Sequence, residues 1–276
     1  MTMQGDKADA RPSRRDQQRR ATLAEIVRTA RMLLVETHEI SLRAVAQTMG
    51  MTAPALYRYV SSLEDLTLRV AAQVYDDLLA ILEEAAAPYA GDPAAQVVAG
   101  STAFRTWSLQ HPREFGLTFA NPITSAAKAV DLGADLVGGD VAPPPGSLPI
   151  GAECTAAAHR FGNFFGRLVV AIWTQRGYPE PGPVPAPADD ELSTSLSSKI
   201  GADVPTEASW AFVRAWSRLY GTTALEVFGH IDAEIVDSGA LFRDTMSDCG
   251  EILGLSDRRA DLQKVVTEVL EAETTP

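Results

Sequence analysis

SLRAVAQTMGMTAPALYRYV, residues Ser41–Val60, is the stretch whose reading decides the fold. Ser41 can cap a short helix whose Leu42, Val45, Ala46 and Met49 share one face, and Gly50 stands where the chain must turn. Thr52 caps a second helix, about Ala53 to Tyr59, with Pro54 in its first turn, where a missing N–H costs nothing. Ala46 is small where two helices would cross closely, and Val45, Met51 and Leu56 are apolar where the pair would pack on a preceding helix. This is the spacing of a helix-turn-helix, whose second helix is free to enter a major groove with its N-terminal residues at base edges.

The flanking segments supply what the pair needs. Leu23, Ile26, Val27, Ala30, Leu33 and Leu34 form the stripe of an amphipathic helix from about Asp16 to Thr37. Residues 1–15 are polar and carry Pro12 without apolar periodicity, the pattern of a disordered basic arm. A long helix opens at Ser61 or Ser62 and runs through Leu66, Val70, Val74, Leu78 and Leu82 to about Ala87. Helical patterns continue over 94–110, 124–137, 152–175, 206–231, 240–253 and 258–271, with proline-rich loops at 141–149 and 178–187. No convincing strand and no repeat is found, so the expected class is all-α. The expected division is an arm over 1–15, a helix-turn-helix domain over 16–62 and a helical body over 63–276.

Charge is divided in the same way. The net charge is −12, yet residues 1–60 hold ten basic side chains against six acidic ones, while the remainder holds fourteen against thirty. A basic head suits a polyanion and an acidic body does something else. A chain of 276 residues, 46% hydrophobic, can bury a core, which excludes disorder throughout. Cys154 and Cys249 stand far apart with no CxxC or Cys/His cluster, against a disulfide scaffold or a structural zinc site. No apolar run approaches the ~20 residues that cross a bilayer, and no apolar segment follows the first charges, so a cytoplasmic protein without a membrane partner is expected.

On Ile26, Ala30, Leu33 and Leu34, on Leu42 to Ala46, Gly50 to Thr52, Leu56 to Tyr59, and on Ser62 to Leu66, the sequence resembles the TetR/AcrR family of one-component regulators. The resemblance is strong over about residues 16–70. His111-Pro112 before Phe115 and the run from Trp216 to Gly221 resemble one branch of the family's C-terminal domains. It implies three DNA-binding helices, a connecting fourth, and a variable helical domain that binds an effector and dimerises. The sequence departs from the pattern in the glycine-free link Thr37 to Ile40, in Tyr59-Val60, and in Leu63, which stands where a lysine is common.

From chemistry and that resemblance, the residues expected to meet double-stranded DNA are Arg43, Gln47, Thr52, Ala53, Pro54, Ala55, Tyr57, Arg58 and Tyr59, joined by Arg14, Arg15, Arg19 and Arg20 of the arm. The tyrosines can bond phosphates or pack on sugars, Arg58 can pair with a phosphate or guanine, and the alanines and proline offer contact to a thymine methyl. Thr52 and the N–H groups behind it suit a phosphate. In the body, aromatic residues and interspersed polar groups suggest a pocket for a largely apolar or aromatic effector. Its expected lining is Phe104, Trp107, His111, Phe115, Phe119, His159, Arg160, Asn163, Phe164, Arg167, Trp173, Trp216 and Tyr220.

The helices over 206–231 and 240–253, with small residues Gly221, Ala224, Gly229 and Ala240, are the expected homodimer seam, and the fourth helix the expected lever. There is no GxSxG, P-loop or GxGxxG, so no enzyme, cofactor or metal is expected. Glu226 and His230 at i, i+4 lack an evident third ligand and read as a surface or seam pair. A ligand-released repressor is therefore the favoured reading; the alternatives are a helical small-molecule-binding protein or unrecognised enzyme whose head no longer reads DNA, and an activator built on the same head.

Overall fold

The computed structural model describes residues 13–124, 150–178 and 204–274. Every regular element among them is helical. The chain divides into two compact units, Met1–Val70 and Ala71–Pro276.

In the first unit α1 spans Arg14–Thr37. Its cap is Ser13, whose Oγ accepts from Asp16 N at 3.2 Å and donates to the Asp16 carboxylate at 2.7 Å. The helix therefore begins two residues before the expected Asp16, and it takes Arg14 and Arg15 out of the arm. Residues 1–12 lie outside the described residues. Ile26, Val27, Ala30, Leu33 and Leu34 are its buried stripe. The helix stops at His38, which takes the left-handed conformation (φ 67°) and donates its N–H to Leu34 O. Short α2, Leu42–Thr48, is capped by Ser41. Gly50 turns the chain at φ 62°, with Met51 N bonded to Ala46 O at 2.8 Å, a conformation that glycine adopts without Cβ strain. The helix expected over 53–59 is shorter: α3 is Ala53–Leu56. Beyond Leu56 the chain tightens, with Arg58 N bonded to Ala55 O and Tyr59 N to Leu56 O, three residues back rather than four.

α4, Leu63–Ala86, belongs to both units and is ~36 Å long at 1.5 Å per residue. Its start is fixed twice: Ser62 Oγ accepts from Asp65 N, and the Asp65 carboxylate accepts from Ser61 N at 2.8 Å.

In the second unit the central helix is α5, Pro93–Gln110, capped by Asp92 and buried along nearly its whole length. It packs against α7 (Ala152–Arg176), α8 (Thr206–Val227) and α11 (Arg259–Thr274). Gly100 makes the α5–α7 approach possible, because a Cβ there would lie 2.5 Å from a Phe164 ring carbon. Two helices escape the sequence patterns: α6, Pro112–Phe119, and α9, Ala233–Ser238. α10, Ala240–Ile252, packs along α8, with Thr222 and Thr245 hydroxyls 3.0 Å apart. α8 ends at Val227 rather than near 231, since Gly229 turns at φ 70° and His230 N bonds back to Leu225 O. The helix expected over 124–137 and the loops over 141–149 and 178–187 fall, but for Thr124 and Tyr178, outside the described residues.

Candidate nucleic-acid interface and effector region

The head presents its candidate surface by burying the other side of the same helices. Val45, Ala46, Leu56 and Val60 are fully or almost fully buried. That orientation leaves Arg43 and Gln47 of α2, Thr52, Ala53 and Pro54 at the start of α3, and Tyr57 and Arg58 beyond it exposed; Ala55 and Tyr59 are half-buried. The Tyr57 ring is 55% exposed. Thr52 makes no side-chain capping bond, so its hydroxyl is not used in closing the helix. Few of these groups can make bidentate bonds to bases, and most suit phosphate, sugar and methyl contacts.

Arg14, Arg15, Arg19 and Arg20 sit on the first two turns of α1 and are exposed. Arg19 has a specific place among them. Its Nη2 donates to Arg58 O at 3.1 Å, and its guanidinium lies 6.0 Å from the Tyr59 ring centroid. It ties the first helix to the end of the α3 turn, a contact across 39 positions that no sequence pattern announces.

In the body, the aromatics divide. Phe104, Phe115, Phe119, Trp216 and Tyr220 come together with Tyr75 and Phe161, which were not among the expected lining, at centroid separations of 5.2–6.3 Å. These rings fill one another's space. Tyr75 donates to Thr118 O and Tyr220 to Phe119 O, and burial pushes both phenols above their ordinary value. Phe164 packs at Gly100 and Phe165, Trp173 donates to Leu253 O, and His111 stacks on Trp107 at 5.2 Å. His159, Arg160, Asn163 and Arg167 form an exposed face of α7, where Arg160 pairs with Asp76 at 2.6 Å and Arg167 with Glu83 at 3.8 Å, both on α4. A cavity of about 40 Å3 lies elsewhere, between α5, α7, α8 and α10; of the thirteen expected residues it has Trp216 in its wall.

Glu226 corrects the surface-pair reading. It is buried, and both carboxylate oxygens accept from Arg105, at 2.6 and 3.1 Å, while Arg105 also donates to Val236 O and covers Phe242. His230 is exposed beyond the end of the helix. Among the described residues no group of three His, Cys, Asp or Glu could hold a metal ion, and no helix is long and apolar enough to cross a membrane. Cys154 and Cys249 are both buried.

The comparisons with known proteins agree with this architecture. The family described as tetracyclin repressor-like, C-terminal domain, matches residues 97–249. The chain belongs to this family, the TetR family of transcriptional regulators. Among its relatives are HTH-type transcriptional regulators Mb1846 of Mycobacterium bovis and Rv1816 of Mycobacterium tuberculosis, each 27% identical over 225 residues, or 79% of this chain and 86% of that protein. A solved chain described as a regulatory protein, SCO4313, has the same fold, with a TM-score of 0.56 at 23% identity over 87% of this chain and 98% of that one.

Proposed function

We propose that this chain is a DNA-binding repressor that sits as a homodimer on a palindromic operator and leaves it when a small, largely apolar effector binds the body. The observation that carries the reading is the exposed surface of Thr52, Ala53, Pro54, Tyr57 and Arg58 over a buried Leu56, on a head with basic excess. The relatives' designation as HTH-type regulators supports it. Leu225, Phe228 and Ile235, 43–45% exposed around the α8–α9 turn, favour a second copy as the cover of that face. Two heads ~34 Å apart, one helical turn, would match two half-sites. An effector need favour the released arrangement by only ~1 to 3 kcal/mol to change occupancy several-fold or more.

The test is selection of bound fragments from a random DNA pool by the purified chain and by Tyr57→Ala and Arg58→Ala. A palindromic consensus, weakened in the variants by roughly 1 to 3 kcal/mol each, is expected. Enrichment of no sequence, or equal enrichment by all three proteins, refutes the reading.

A further inference from the structure

The guanidinium of Arg105 on α5 reaches two other helices at once. Nε and Nη2 donate to the two carboxylate oxygens of Glu226 in the last turn of α8, at 2.6 and 3.1 Å, and Nη2 donates also to Val236 O of α9 at 2.7 Å. The Phe242 ring of α10 covers it, its centroid 5.1 Å from the guanidinium carbon. A planar fork with several fixed donors suits that double task; an ammonium, a point charge, does not.

Helix α9 depends on that bond. It has six residues, too few to hold a helix in water, and none of the six is buried, so no side chain of its own anchors it in the core. Val236 O is fixed from two directions, by Gly239 N at 3.0 Å and by Arg105 from 131 positions away. Arg243 of α10 donates to Ser238 O at 2.7 Å and fixes the end of α9 where it joins α10. Arg105 is what fixes α9 to α5 and α8.

The two acceptors adjoin the apolar side chains that the fold leaves in solvent. Glu226 follows Leu225, Val236 follows Ile235, and Phe228 lies between them and rests on Phe115 of α6 at 5.8 Å. Back along α8, Arg214, Arg218 and Gly221 share the stripe of Leu225, and a Cβ on Gly221 would meet nothing within 4 Å. Forward, Asp232, Glu234 and Asp237 are exposed on the turn and on α9. The surface is basic at one end, apolar in the middle and acidic at the other, so it complements itself when a second copy is turned by a two-fold axis through the apolar part.

We propose that Arg105 is a positioning residue for the association of two copies of this chain: a buried cation that sets Ile235 of α9 in register with Leu225 and Phe228 of α8. The inference rests on the homodimer proposed above. It gives one side chain two separable duties. The bonds to Glu226 satisfy a desolvated charge and hold the fold, while the bond to Val236 O holds the face that meets the partner.

The experiment is sedimentation equilibrium of the full chain and its variants, well below their melting temperatures, with amide exchange followed by mass spectrometry on the same samples. Arg105→Met with Glu226→Leu removes both buried charges and the donor to Val236 O. Its melting temperature should stay near the native one, while its dimer dissociation constant rises about tenfold or more and residues 232–239 exchange about tenfold or more faster, the rest of the body being unchanged. Glu226→Gln keeps Arg105 and its bond to Val236 O, so it should lose melting temperature while its dissociation constant stays within about threefold of the native one. Arg105→Lys keeps the counter-charge but cannot span both acceptors, and it provides the same reading of dimer and exchange should the double variant not fold. Ile235→Ser, on the exposed side of α9, should weaken the dimer about tenfold with the melting temperature unchanged. Dissociation constants that follow melting temperature across Glu226→Gln and the double variant leave Arg105 a structural role alone and overturn the inference, as does a native dissociation constant in the folded double variant or in Arg105→Lys. An unchanged dimer in Ile235→Ser puts the seam elsewhere and overturns the inference while leaving the homodimer. A native chain that stays monomeric overturns the homodimer and the inference together.

Discussion

Replacing Glu226 with glutamine should destabilise the body more than any exposed ion pair could. The side chain of Arg105 is 6% exposed and that of Glu226 0%. Glu226→Gln keeps the shape but removes the counter-charge and turns one of the two accepting oxygens into an NH2 donor facing the guanidinium, which stays in the interior with Val236 O and one amide oxygen as acceptors. Removing one partner of a buried pair costs ~3–5 kcal/mol, because the other charge stays desolvated, and at ~2–4 °C per kcal/mol the melting temperature should fall by about 6–20 °C. Asp76→Asn, which breaks the half-exposed pair with Arg160, should cost less than ~1 kcal/mol. Replacing both buried partners, Arg105→Met with Glu226→Leu, should recover most of the loss, since neither charge then needs a partner. Thermal and urea unfolding followed by far-UV circular dichroism measure all three. A Glu226→Gln loss no larger than that of Asp76→Asn, or a double variant worse than either single one, refutes the view that a desolvated pair ties α5 to α8 and α9.

Arg19→Ala should weaken operator binding through the lost bond to Arg58 O while leaving the salt slope unchanged; a log–log slope reduced by ~0.9 would show that Arg19 meets a phosphate instead. Leu63, 44% exposed at the start of α4, should gain a phosphate contact as Leu63→Lys, steepening the slope by ~0.9 and tightening binding; an unchanged slope would mean that the start of α4 does not face the DNA backbone. The Arg258 guanidinium beside Asp92, which also caps α5, holds that carboxyl below its ordinary 3.8. A folded-state value below the unfolded one adds stability that is present above about pH 3.8 and is lost as pH falls through the folded value, so Asp92→Asn should flatten the loss of stability on acidification below about pH 3.8; an identical pH dependence would refute it.

What the sequence disclosed was local. Ser41, Gly50 and Pro54 act within a few residues of themselves, through caps and turns, so their pattern could be read directly. The bond from Arg19 to Arg58 and the pair of Arg105 with Glu226 join positions 39 and 121 residues apart, and nothing at either end names the other. Helices α6 and α9, of eight and six residues, are too short to establish a period. That fifteen of the nineteen aromatic residues fall after residue 91 was legible in the sequence. Their outcome was not, because whether rings surround a space or fill it depends on how α4 through α8 pack: Phe104, Phe115, Phe119 and Phe161 fill theirs, while the cavity has Phe165, Phe212 and Trp216 in its wall together with residues that carry no mark, Val97, Val169 and Ala215.

The link after α1 contains no glycine, and His38 supplies the positive φ in its place. Histidine, asparagine and aspartate enter that region more readily than other side chains, and a β-branched residue enters it at a real cost. Selection at this position therefore acts on a backbone angle rather than on a residue type. Across descendants of this head, position 38 should drift among His, Asn, Asp and Gly while excluding Val and Ile. A single nucleotide change converts a histidine codon to one for asparagine or aspartate, so the helix could keep its ending through each step of such a walk.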